Sequence, residues 1–108
     1  MGAHNFATVA TGRTMEAAYR SACEEATYEH GHDSYNGTIS TTRGAILKTL
    51  PGKCTAAAIR RFEDEATERT EKWGACWAVE LSLSMSKKRF PNLTRGHRAF
   101  LFVGWAAE

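Results

Sequence analysis

The chain has 108 residues, 43% of them apolar and 24% charged, and a net charge of +2 at neutral pH. That composition excludes a mainly disordered chain, and no apolar run approaches the roughly 20 residues that span a bilayer. So small a net charge gives no general attraction to nucleic acid.

This length predicts one domain, residues 1–108. The opening MGAHNFATVATGR lacks a basic segment followed by an apolar one, so no secretory signal is expected. Cys23, Cys54 and Cys76 form no CxxC pair and are expected to be reduced thiols in a cytosolic protein.

In chain order, NFATVAT is β-branched and small, and predicts a strand over Asn5–Thr11. Thr14 suits a helix N-cap, with Glu16 in the first turn where the dipole favours an acid. Met15, Ala18, Tyr19, Ala22, Cys23 and Ala26 then recur at helical spacing, and Gly31 ends the helix near His30. Asn36-Gly37 predicts a tight turn. TISTT predicts a second strand over Thr38–Thr42, which TRG turns back onto Ala45–Lys48 as a short hairpin.

Thr55 caps a second helix whose buried stripe is Ala58, Ile59, Phe62, Ala66 and Trp73. Its solvated faces carry Arg60 and Arg61 among other charges, with Glu65–Arg69 and Glu68–Lys72 at i,i+4, and Gly74 closes it. Trp77, Val79, Leu81, Leu83 and Met85 alternate with Ala78, Glu80, Ser82, Ser84 and Ser86, which predicts a strand with one buried and one wet face. KKRFPNLTRGH is a basic connector, leading into a final strand, RAFLFVGWA. That strand is apolar on both sides, Phe100 and Phe102 pointing one way and Leu101, Val103 and Trp105 the other.

The order β-α-β(β)-α-β-β predicts an α+β fold: a two-layer sandwich, its mainly antiparallel sheet carrying two helices on one face. Helices on one face leave the other side of the last strand bare. A second copy of the chain is the expected cover, giving a homodimer or higher oligomer.

His30, His32 and Asp33 are metal-ligating types, but with no HExxH or paired cysteines no metal and no cofactor are expected. No GxSxG signals a nucleophile, and Cys23 and Cys76 fall at buried positions, so no catalytic residue is assigned. Three places suit an anion instead. Arg13 stands beside the free N–H groups that start the first helix. Arg89 and Arg95 lie within the basic connector, whose charges serve equally to keep a sheet edge from aggregating. GHDSYNGTISTT carries more than a turn needs: Tyr35 can stack on a ring, and His32, Asn36 and Thr38 can hydrogen-bond a sugar or phosphate.

The same region holds T-G-x-T at Thr11–Thr14, Tyr-x-x-Gly at Tyr28–Gly31 and G-H-x-x-Y-x-G-T-I at Gly31–Ile39. In these motifs roughly the first 45 residues resemble small proteins encoded by phages of actinobacteria. The resemblance implies a place in the host cytoplasm. More loosely, the chain is similar to phage anti-defence sponge proteins. Those sequester a nucleotide-derived immune signal, of cyclic nucleotide or cyclic ADP-ribose type, in pockets between subunits without turnover. On that reading Arg13, Arg89 and Arg95 pair with phosphate, Tyr35 stacks, and His32, Asn36 and Thr38 hydrogen-bond. The alternatives are an inhibitor that contacts a host enzyme directly, or an enzyme that degrades the signal.

Overall fold

The computed structural model describes residues 3–30, 38–50, 52–71 and 74–107. Among them the chain is α+β, with three helices and an open four-stranded mixed sheet. The first strand, β1 (Ala3–Gly12), runs into α1 (Met15–His30), which starts where Thr14 Oγ1 accepts from the Ala17 N–H at 3.1 Å. The helix buries Ala18 and Ala22, small residues that let it lie close to the sheet. Gly12 is part of that approach, since a Cβ there would meet the Ala18 backbone nitrogen at 2.6 Å.

Thr38–Thr42 forms no strand. Ile39–Thr41 is a 3-10 turn, held by Thr41 Oγ1 donating to the Thr38 carbonyl at 3.0 Å and Thr42 Oγ1 to the Ile39 carbonyl at 2.7 Å. Hydroxyls that back-bond in this way compete with a sheet ladder and here displace it. The expected hairpin is therefore absent. Instead β2 (Ala45–Lys48) pairs in parallel with β3 (Cys76–Glu80). Parallel neighbours need a crossover, which α2 (Ala56–Arg69) supplies. Thr55 caps its start by accepting from the Ala58 N–H at 3.1 Å. Thr70 ends it, before Gly74, its N–H and hydroxyl both reaching the Ala66 carbonyl. Trp73 and Lys72 lie outside the described residues, so only Glu65–Arg69 of the two expected ion pairs is seen, at 3.4 Å.

The alternating run from Trp77 to Met85 is likewise cut short. β3 stops at Glu80, and Ser82 accepts from the Met85 N–H at 3.2 Å to open a third helix, α3 (Leu83–Arg89). The last strand, β4 (Arg98–Ala107), completes the order β1-β4-β3-β2, with antiparallel pairing on both sides of β4. The mainly antiparallel sheet is thus as expected.

The placing of both long helices on one face is not. Alternate residues of a strand point to opposite faces. Ala18 and Ala22 of α1 pack with Phe100, Phe102, Cys76 and Ala78. Phe62 and Ala66 of α2 pack with Leu101, Val103, Ala99 and Val79 on the other side. Hence β4 is apolar on both sides because each side has its own helix, and β3 has no wet face over Cys76–Val79. Burial of each large side chain, such as Phe100 or Phe102, contributes about 1.5–3 kcal/mol. Leu101 and Val103 are hidden within their own chain. The bare face that called for a second copy does not exist, and any self-association must rest on another surface. No helix among the described residues is long and apolar enough to cross a membrane.

Candidate functional site

Two helices on one face of a sheet leave a valley where they fail to meet. Between α2 and α3 lies a groove of about 620 Å³. That volume falls within the range of about 300–1,000 Å³ typical of small-molecule sites. Val9 of β1, Leu101 of β4, Leu81, Ile59 of α2 and Met85 of α3 supply its apolar lining. Arg60, Lys88 and Arg89 stand around it, against the single carboxylate of Glu63.

Helical spacing brings these residues together. Ala56, Ile59, Arg60 and Glu63 recur at three and four residues on one side of α2, and Met85, Lys88 and Arg89 do so on α3. Lys88 and Arg89 fall in the last turn of α3, where the helix end favours cations. Among the described residues Arg60, Lys88 and Arg89 form no ion pair; the pairs found are Glu65–Arg69 and Arg98–Glu80. Three unneutralised cations around an apolar trough suit a ligand with a hydrophobic body and an anionic end. Arg60 and Arg89 are exposed at the edge of the groove, and the long stem of an arginine can cover apolar surface while its head stays in water.

The residues expected to bind a ligand are not gathered in one place. Arg89 lines the groove. Arg13 is exposed between β1 and α1, following Gly12, which is paired with Arg98. Arg95 is exposed in the turn before β4. Neither lines the groove. Thr38 belongs to a smaller hollow of about 260 Å³, shared with His4, Phe6, Glu25 and Glu29, on the α1 side of the sheet. His32, Tyr35 and Asn36 lie outside the described residues. The groove residues missed in the sequence were readable in principle. Ser82 three places before Met85, followed by Lys87-Lys88-Arg89, is a capped short helix with a basic last turn.

On the α1 side, Tyr19 organises a half-buried polar knot. Its hydroxyl lies 2.6 Å from Thr42 Oγ1 and accepts from the Gly44 N–H at 2.8 Å. Burial pushes the phenol up from 10.0 to about 12. It pushes the nearby Cys76 thiol from 9.0 to about 12 and raises Cys23 as well. Both sulfurs face backbone carbonyls, Cys23 that of Ile39 and Cys76 that of Gly44. Thiols so held stay protonated near neutrality and are poor nucleophiles.

Compared with known proteins, the chain matches no family model, no curated protein and no solved structure.

Proposed function

We propose that this chain is a binding protein that holds an anionic, nucleotide-like small molecule in the α2–α3 groove and does not turn it over. The observation that carries the reading is the pairing of an apolar floor, Ile59, Leu81, Met85 and Leu101, with unpaired Arg60, Lys88 and Arg89. A base or other flat ring would lie on the floor, where Met85 can adapt to its outline. Its phosphates would meet the two guanidinium groups, which grip phosphate oxygens in pairs. The motifs resembling phage proteins suggest which ligands to try first: cyclic nucleotides and cyclic ADP-ribose isomers, held as a sponge holds an immune signal in the host cytoplasm.

A ligand that binds only the folded chain raises its melting temperature. The test is thermal melting against a panel of cyclic nucleotides and ADP-ribose derivatives, followed by chromatography of the ligand released on denaturation. A rise in melting temperature with intact ligand recovered supports the reading. A flat melting temperature across the panel rejects it, and a converted ligand identifies an enzyme instead.

A further inference from the structure

Among the described residues the sheet order leaves β1 at an outer edge, and at ten residues β1 is as long as the β4 strand beside it. A long edge presents a row of unpaired N–H and C=O groups, which proteins ordinarily guard with a charge, a proline, a bulge or a short strand. β1 has no such guard. Ala3–Gly12 reads AHNFATVATG, without Lys, Arg, Asp, Glu or Pro. Its register runs unbroken from Ala3↔Ala107 to Gly12↔Arg98, so no bulge twists it away. The opposite edge is guarded on two counts, since β2 has four residues and ends in Lys48.

We propose that β1 pairs antiparallel with β1 of a second copy, joining two four-stranded sheets into one continuous sheet. Charge argues for this occupant. A two-fold axis perpendicular to the sheet must pass near the middle of the strand, at Ala7 or Thr8. Every residue then faces one of the same parity on the same side of the sheet. His4, the one ionisable side chain of β1, falls opposite Ala10 or Gly12 rather than its own copy. Phe6 meets Thr8 or Ala10, and Val9 meets Asn5 or Ala7, cross-strand contacts that stabilise a ladder. No like charges oppose each other anywhere along the ten residues.

The same axis puts α2 and α3 of both copies on one side of the joined sheet. Val9 lines the α2–α3 groove, so each groove borders the seam and gains a wall from the partner. The pairing itself does not depend on what the groove binds.

Asn5 and Ala7 are exposed in the single chain, so Asn5→Lys with Ala7→Lys charges the edge without touching the core. In sedimentation equilibrium the wild type is expected at twice the 11.9 kDa chain mass, and the double variant at 11.9 kDa with an unchanged circular dichroism spectrum. A wild type that stays at 11.9 kDa at every concentration overturns the proposal, as does a folded variant that still dimerises. If the variant fails to fold, hydrogen exchange of the wild type decides. Outward β1 amides protected as strongly as those of β4 uphold the pairing, and exchange at open-edge rates rejects it.

Discussion

The indole Nε1 of Trp105 donates to the backbone carbonyl of Thr67 at 2.7 Å. Thr67 lies in the last turn of α2, whose carbonyls have no partner within the helix. One aromatic side chain on β4 thereby packs the α2 face and closes an orphan acceptor at the end of the crossover helix. Trp105→Phe keeps most of the ring and deletes the donor. It is expected to cost about 1 kcal/mol, read as a melting temperature lower by roughly 4–8 °C for a domain of this size. An unchanged melting temperature would show that water replaces the indole.

Two glycines mark close approaches between elements of the fold. A Cβ on Gly104 would lie 2.8 Å from the Cβ of Cys76, and one on Gly12 would lie 2.6 Å from the Ala18 nitrogen. Gly104→Ala is expected to destabilise the fold by about 1–3 kcal/mol, the usual cost of overpacking. Gly12→Ala is expected to cost at least as much, because the obstacle is main chain rather than side chain. Denaturant melts of the two variants check both values.

Alkali should weaken the fold in a defined window. Burial raises Tyr19 from 10.0 to about 12 and Cys76 from 9.0 to about 12. A raised pKa means the folded state holds its proton more tightly than the unfolded chain. The stability it contributes is fully present below the unfolded value and is lost as pH climbs to the folded one. Unfolding free energy is therefore expected to fall between about pH 9 and 12 from these two groups. Tyr19→Phe should flatten the part above pH 10, while lowering stability near neutrality by removing the hydroxyl that the Gly44 N–H and Thr42 engage.

Much of this architecture was legible in the residues. The caps Thr14 and Thr55, the stripe of α1, Ile59, Phe62 and Ala66 of the α2 stripe and the two-sided apolar run of β4 follow their patterns, while Ala58 is only half-buried and Trp73 lies outside the described residues. What was hidden depends on competition between local bonds and distant partners. Thr38–Thr42 has strand composition, yet Thr41 and Thr42 satisfy carbonyls locally and tighten the segment into a turn. The alternation from Trp77 to Met85 fits a strand until Ser82 accepts from the Met85 N–H and turns the chain into α3. That misreading also hid the groove. It assigned Met85 to a strand, Lys88 and Arg89 to a connector and Arg60 to a solvated face, although one helix pair brings all four together. The two apolar sides of β4 do have two covers, and the second, over Leu101 and Val103, is α2.

The groove's cations should matter separately from the fold. Arg60 and Arg89 are exposed and unpaired, so Arg60→Gln with Arg89→Gln is expected to leave the melting temperature of the free protein nearly unchanged. The same change should abolish any ligand-induced rise. Loss of the free protein's own stability would instead give these arginines a structural role.

Methyl NMR during titration with the anionic nucleotide panel tests the central claim most directly. The account expects the Ile59, Leu81 and Met85 methyl signals to move together and saturate, with no such movement in the Arg60→Gln/Arg89→Gln variant. Signals that stay fixed at saturating concentrations of every member of the panel, or that move only at residues remote from α2 and α3, would contradict it.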